Sequence, residues 1–319
     1  MNNPTRYRAP AWLPGGNLQT LYPALVALRA RVSYRRERWN TPDGDFIDLD
    51  WTAEAATGDA PLLVLFHGLE GSSNSQYARG LMHGAVQRGW RGVVVHFRGC
   101  SGEINRLPRA YHSGDSTEIN WILRRLQAQH GGVLFAAGVS LGGNALLKWL
   151  GEQGQAANDV VQRAAAISAP MDLHAAGRAL EHGFNMIYTN NFLATMKRKS
   201  LDKLRLHPGL FDPAKLRATR TLREFDDLIT APLHGFAGVD DYYTRASSKP
   251  LLLCVAVPTL LLNARNDPFL PGASLPELQQ ISAAITPAFP DEGGHVGFPD
   301  LSGSIGWLPQ TVLEFLAAP

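Results

Sequence analysis

Phe135-Ala-Ala-Gly-Val-Ser-Leu-Gly-Gly-Asn-Ala-Leu-Leu-Lys-Trp-Leu150 is the stretch from which the fold is read. Residues 133–139 form a short apolar run of the kind that makes a buried strand. The run breaks at Gly138-Val139-Ser140-Leu141-Gly142, and an amphipathic segment carrying Ala145, Leu146, Trp149 and Leu150 follows as a helix. A strand that turns into a helix through G-x-S-x-G is a nucleophile elbow. Its turn is so tight that the serine adopts a strained backbone and lifts its hydroxyl clear of the sheet. Gly138 and Gly142 flank it because side chains there would collide where strand and helix cross. The pentapeptide by itself also occurs in Gly-rich turns without chemistry, and the strand–turn–helix context is what separates the two readings.

Working outward, the same rhythm continues. Residues 32–39 and 46–51 read as two strands joined by Thr41-Pro-Asp-Gly-Asp45, a strong hairpin signal. Residues 61–68 and 92–97 are apolar runs typical of strands buried on both faces, separated by a helix over 76–88. Asp115-Ser-Thr-Glu118 has the form of a capping box for the helix before the elbow strand. Residues 164–170, 257–263 and 285–289 complete the strands, and a closing helix carries Val312, Leu313 and Leu316. Strand and helix in alternation predict an α/β fold with a mostly parallel sheet covered on both faces. A first helix is expected over residues 18–28. Between 171 and 250 no strand-like run occurs, and helical segments rich in charge and aromatics take its place. The expected organisation is a core of 1–170 and 251–319 with an inserted helical cap at 171–250. On a cap helix, Phe184, Ile187 or Tyr188, and Phe192 fall on one face, with Met186 and Met196 nearby, as an apolar stripe available to cover Ser140.

A serine hydroxyl needs a base, normally a histidine held by a carboxylate. In this architecture the chain order is serine, acid, histidine, with the last two on loops after the final strands. His295, in Glu292-Gly-Gly-His-Val-Gly-Phe298, fits the base. Two carboxylates compete for the acid. Asp267 follows the strand ending near Asn263, on the later and commoner strand, and is preferred. Asp172 follows the strand ending at Pro170, where it equally suits the cap of a helix. The oxyanion requires two backbone N–H donors, expected from Leu141, next after the nucleophile, and from Leu69 in the loop His67-Gly-Leu-Glu-Gly71. His67 itself is read as a brace for that loop. His112 and Asp115 suit the crevice, although capping accounts for Asp115. The H-x-x-x-x-D pattern at His207 to Asp212 and at His295 to Asp300 is sometimes read as an acyltransferase signature; ten histidines make chance matches expected.

Composition bounds the partners. In 319 residues, 45% hydrophobic and 18% charged content are those of a soluble globular chain, and a net charge of +2 gives no argument for nucleic acid. The only basic cluster, Arg29, Arg31, Arg35, Arg36 and Arg38, alternates with apolar residues as on a solvated strand face. Cys100 and Cys254 are far apart with no metal-ligand spacing, which fits a reducing compartment. The N-terminus lacks the apolar core of a signal peptide, and residues 18–30, interrupted by Pro23 and Arg29, are too short to span a bilayer. A cytoplasmic protein without a transmembrane segment is expected.

Gly16-Asn-Leu-Gln-Thr20, His67-Gly-Leu-Glu-Gly-Ser-Ser73, His96-Phe-Arg-Gly-Cys-Ser-Gly102, Tyr111-His-Ser-Gly-Asp115, Gly138-Val-Ser-Leu-Gly-Gly-Asn144, Thr221-Leu-Arg-Glu-Phe-Asp-Asp227, Asp267-Pro-Phe269 and Gly294-His295 together carry a resemblance. The chain resembles the YheT-like α/β-hydrolases, the group related to the mammalian ABHD proteins that act on membrane and medium-chain esters. The resemblance implies an α/β-hydrolase fold with a helical cap, carboxylic-ester hydrolysis and a charge relay of Ser140, Asp267 and His295; the residues themselves are read as a serine esterase for short- to medium-chain acyl esters that requires no metal or organic cofactor. The family often has paired aspartates before the proline; here the first is Asn266. The mammalian relatives usually carry an N-terminal membrane anchor, which this sequence does not show. Two other functions fit the same residues: acyl transfer to an alcohol or thiol through the same acyl-enzyme, and a catalytically silent ligand-binding scaffold.

Overall fold

The apolar runs read above fall in one eight-stranded sheet of order β1-β2-β4-β3-β5-β6-β7-β8. The computed structural model describes residues 7–27, 30–53 and 59–318. Arg29 of the basic cluster, Leu28 at the expected end of the first helix, and the N-terminal hexapeptide lie outside the described residues. The strands are β1 (Tyr34–Asn40), β2 (Phe46–Thr52), β3 (Leu62–Phe66), β4 (Arg91–His96), β5 (Leu134–Val139), β6 (Arg163–Ile167), β7 (Thr259–Leu262) and β8 (Ile285–Ala288). β1 and β2 pair antiparallel, as do β2 and β4, and every other pairing is parallel. The hairpin turn closes with Thr41 N–H to Asp45 O at 3.0 Å and Gly44 at φ +85°.

Strand period decides which side chain joins which core. In β3, Leu62, Val64 and Phe66 join the cluster that contains α3 (Ser116–Gln129) and α4 (Leu141–Gln153), whereas Leu63 and Leu65 join the cluster of α2 (Gln76–Gln87) and α11 (Trp307–Leu316). Each such side chain, removed wholly from water, stabilises the fold by about 1.5–3 kcal/mol. Both helical layers therefore follow from continuous apolar strands.

The first helix, α1 (Gly15–Leu25), starts three positions earlier than expected because Pro14, with extended backbone, serves as its N-cap. The capping box expected at Asp115 does not form. Asp115 stands at the N-cap of α3 with no side-chain cap bond and pairs with Arg109, while Glu118 turns into the core against Arg98. Buried Arg98, with Asp43 and Asp45 as further partners, outcompetes the Asp115 backbone N–H for that carboxylate. The basic face of β1 is matched in register: Arg36 and Arg38 each hold a carboxylate bidentately on β2, Asp50 and Asp48.

Between β6 and β7 the chain is helical throughout its described elements: α5 (Leu173–Leu180), α6 (Met186–Leu206), α7 (Pro213–Ala218), α8 (Leu222–Phe225), α9 (Ala231–Leu233) and α10 (Val239–Ala246). A single π-turn, Asp226–Thr230, joins α8 to α9. Helices α5 to α8 and the π-turn pack an apolar cluster that also takes in Phe269 and Leu270 from the loop after β7, and Ala231 of α9 packs with α10 and Leu173 in a second cluster. Both cysteines are free, Cys100 buried and Cys254 exposed. Among the described residues no helix is long and apolar enough to cross a membrane.

Candidate active site

The elbow has the geometry its sequence calls for. Ser140 sits between β5 and α4 at φ 52° and ψ −121°, a region costly for any residue with a Cβ. Its N–H reaches Ile167 O at 2.8 Å, and its carbonyl receives Asn144 N–H at 3.1 Å. A Cβ on Gly142 would lie 2.5 Å from the carbonyl oxygens of both Phe66 and His67, so only glycine lets the helix approach β3 so closely. The sheet order reverses between β3 and β5, and Ser140 stands at that switch point, where ligands of open α/β sheets bind.

Ser140, Asp267 and His295 come together. His295 Nε2 lies 3.0 Å from Ser140 Oγ, and His295 Nδ1 lies 2.8 Å from Asp267 Oδ2. Asp267 Oδ1 accepts from Phe269 N–H at 2.8 Å, so both carboxylate oxygens are engaged. With a carboxylate at Nδ1, that nitrogen carries the proton, and Nε2 is left to accept from the serine hydroxyl. The imidazole stacks on Phe269 at 4.1 Å between ring centroids. Asp172 goes elsewhere: it caps α5, accepting from Ala175 N–H at 3.0 Å.

The loop after β3 lies across from the elbow. Neither Leu69 N–H nor Leu141 N–H has an acceptor among the described residues. Gly68 N–H donates to Tyr77 Oη at 2.9 Å, and Tyr111 Oη donates to Glu70 Oε1 at 2.9 Å. Lys199 of α6 pairs with Glu70 at 2.9 Å, tying the helical segment to this loop. His67 is wholly buried, with Nε2 accepting from Phe97 N–H at 3.1 Å and Nδ1 on Gly68 O at 2.7 Å. Burial pushes its pKa down to about 3, so it is a neutral brace.

One supporting element was not given a role from the sequence. Helix α1 holds the histidine and acid loops through Gly16-Asn-Leu-Gln-Thr20: Thr20 Oγ1 accepts from His295 N–H at 2.8 Å, and Gln19 Oε1 accepts from Gly293 N–H at 2.8 Å. The available signal was three polar residues, Asn17, Gln19 and Thr20, inside an otherwise apolar segment; Gln19 and Thr20 are buried. Ser168, at the end of β6, likewise accepts from Val296 N–H at 3.1 Å. Among the described residues five non-glycine residues have positive φ, and all five, Glu70, Ser140, Ser168, Val296 and Phe298, are in these loops. Strain is concentrated where the geometry is most constrained. The H-x-x-x-x-D matches dissolve: Asp212 caps α7, and Asp300 closes a turn onto Ser302 and Ser304.

A cavity of about 550 Å³ opens beside Ser140 and His295 and continues under the helical segment. Tyr188, Phe192, Met196 and Lys199 bring one face of α6 to it. The expected stripe is thus shifted: Phe184 and Ile187 are 48% and 55% exposed and point away. Phe184 precedes α6 in a 3₁₀ turn, so helical spacing does not apply to it.

Residues 61–300 match the profile of a family described as alpha/beta hydrolase fold. The chain is 44% identical to the YheT protein of Escherichia coli over 94% of its own length and 89% of the other. The chain belongs to the α/β-hydrolase fold family. It is also 31% identical to the human phospholipase ABHD3, covering 92% of this chain and 73% of that one. Among solved α/β-hydrolases, an esterase from Pyrococcus furiosus superposes with a TM-score of 0.56 at 14% identity, covering 91% of this chain and 97% of the other. At that identity the likeness speaks for the fold.

Proposed function

We propose that Ser140 is the nucleophile of an ester hydrolase that cleaves short- to medium-chain acyl esters through an acyl-enzyme. The chain is an enzyme of the carboxylic-ester hydrolase class, supported by its family and by its likeness to a phospholipase. The observation that carries the site assignment is the hydrogen-bonded series Ser140 Oγ, His295, Asp267 at the cavity wall. Ser140 Oγ attacks the ester carbonyl while His295 Nε2 takes its proton. Leu69 and Leu141 N–H groups, already free of other acceptors, bind the oxyanion without reorganisation. His295 returns the proton to the leaving alcohol, and water then repeats the cycle on the acyl-enzyme. Asp267 keeps the proton on Nδ1 and balances the imidazolium. Residues 171–250 act as a cap that keeps water from the cavity, over a core of 1–170 and 251–319.

A fluorophosphonate probe should label the wild-type chain and fail on Ser140→Ala; labelling that survives the substitution would remove Ser140 from the mechanism. The cavity makes a second expectation. Each methylene buried contributes about 0.8 kcal/mol, about fourfold in kcat/KM, until the cavity is full. Activity on p-nitrophenyl esters should therefore climb from acetyl to medium chains and then level. Met196→Ala should flatten that climb while sparing acetate. Met196 is the position of choice because Phe192 packs on Phe269, which stacks on His295. An unchanged chain-length series in Met196→Ala would place the acyl group elsewhere.

A further inference from the structure

Among the described residues the cavity wall holds two carboxylates that the hydrolytic mechanism does not use, Glu70, which is paired with Lys199, and Asp226, which is paired with no cation. Asp226 belongs to Thr221-Leu-Arg-Glu-Phe-Asp-Asp227, and it opens the π-turn between α8 and α9. Single π-turns within helices are frequent at functional sites. The two adjacent aspartates have different surroundings. Asp227 accepts from Val239 N–H at 2.9 Å, at the start of α10. Asp226 lines the same cavity as Ser140 and keeps accessible surface toward it.

Its partners are hydroxyls. Thr230 Oγ1 donates to Oδ1 at 2.6 Å, and Tyr243 Oη donates to Oδ2 at 3.0 Å. No cation among the described residues pairs with it. The cations lining the cavity are already committed: Lys199 to Glu70, Arg98 to Glu118, Asp43 and Asp45, and Lys203 to Asn105 O, Asn105 Oδ1 and Leu107 O. An enclosed carboxylate without a counter-charge is costly, and two neutral donors leave its negative charge standing. A ligand bearing a positive charge would neutralise it; an apolar ligand would bury it further, and an anionic one would be repelled.

We propose that Asp226 is a substrate-recognition site that takes a protonated amino group, so that the ester this enzyme prefers carries an amine. The proposal deepens the serine-hydrolase reading and rests on it. Asp226 sets specificity, and Ser140 does the chemistry.

The surroundings let Asp226 act as the pH-dependent charge. Tyr242 and Tyr243 of α10 are held neutral by burial, which raises both well above 10. Of the cavity-lining histidines, burial lowers His112 to about 4 and also lowers His234, which follows α9 and bonds to Thr230 O, so both are neutral near pH 7. Arg223, on the same helix, is taken by Asp240; Arg178 of α5 is exposed, and Glu181 follows that helix. Burial raises the Asp226 carboxyl to about 6. A raised carboxylate is protonated below that pH, so preference for an amine should be present above about pH 6 and fade below it.

Two measurements test this. The first compares p-nitrophenyl 6-aminohexanoate with its neutral isostere, p-nitrophenyl heptanoate, in wild type and Asp226→Asn. A hydrogen-bonded charge is worth roughly ten- to hundredfold in kcat/KM. The ratio of amino to neutral ester should fall by that factor in Asp226→Asn, and in wild type it should rise between pH 5 and 7.5. His295 acts on both esters, so its contribution cancels in the ratio. The second uses wild type alone and survives a variant that does not fold: hexylammonium should inhibit heptanoate hydrolysis at least tenfold more strongly than 1-hexanol at pH 7.5. Equal inhibition, or a ratio unmoved by Asp226→Asn, overturns the proposal and leaves Asp226 as a helix tether. Heptanoate turnover persisting in Ser140→Ala would instead overturn the serine reading, independently of either ratio.

Discussion

Asp267→Asn is expected to lower kcat by about 10⁴-fold while leaving the fold intact, the loss seen when a serine triad loses its acid. The hydrogen bonds of this site give the reason. The two oxygens of Asp267 face two donors, Phe269 N–H and His295 Nδ1. An amide offers one acceptor and one donor. If its oxygen serves Phe269, its NH₂ faces His295 Nδ1, which must then accept, and the proton moves to Nε2. The imidazole then points N–H at Ser140 Oγ and has no lone pair to take the serine proton. If instead the oxygen serves His295, the NH₂ confronts Phe269 N–H, and a buried donor goes unpaired at a cost of about 1–3 kcal/mol. The first arrangement is favoured, and it is the inactive one. Steady-state kcat with the melting temperature checks this. Turnover within tenfold of wild type in a folded Asp267→Asn would assign the acid elsewhere, and Asp172→Asn would be the next variant to assay.

What could be read from the sequence depended on how local the determining interaction is. The strand runs, the Thr41–Asp45 hairpin and the elbow are set by neighbours within a few residues, and all eight expected strands occur with ends within three residues. Ser140, Asp267 and His295 were reachable because chain order in this architecture fixes which loops meet. The misreadings were decided by partners distant in sequence. Glu118 has the spacing of a capping residue, yet Arg98 captures it from β4's far end. Phe184 has helical spacing to Tyr188 and Phe192, yet the next residue, Asn185, donates to the distant Pro268 O at 2.6 Å, and the chain there forms a 3₁₀ turn before α6 begins. Asp226 shares its segment with charged residues that face water, and only the packing of α10 against the π-turn shows it enclosed.

Gln19→Leu is expected to lower kcat by about 10²-fold and to destabilise the fold by about 3 kcal/mol, although residue 19 is far from both loops in sequence. The side chain is wholly buried. Its Nε2 donates to Leu13 O at 2.9 Å, and its Oε1 accepts from Asn266 Nδ2 at 2.9 Å and Gly293 N–H at 2.8 Å. Asn266 Oδ1 in turn accepts from Gly294 N–H at 3.0 Å. The pair therefore bridges the residue before Asp267 to the two residues before His295. An aspartate at 266 would have no N–H for Gln19, which gives the asparagine a role of its own. Leucine fills similar space and leaves Leu13 O and Gly293 N–H, both buried, and the half-buried Asn266 Nδ2 without their partner, at about 1 kcal/mol each. Relief comes only if the loops shift. A displacement near 1 Å in the histidine relative to Ser140 costs about 10²-fold in rate. The two effects separate by assay well below the variant's unfolding transition: lost stability alone would restore kcat there, whereas a misplaced histidine would not. Wild-type kcat in folded Gln19→Leu would mean that α1 packs against the catalytic loops without setting their geometry.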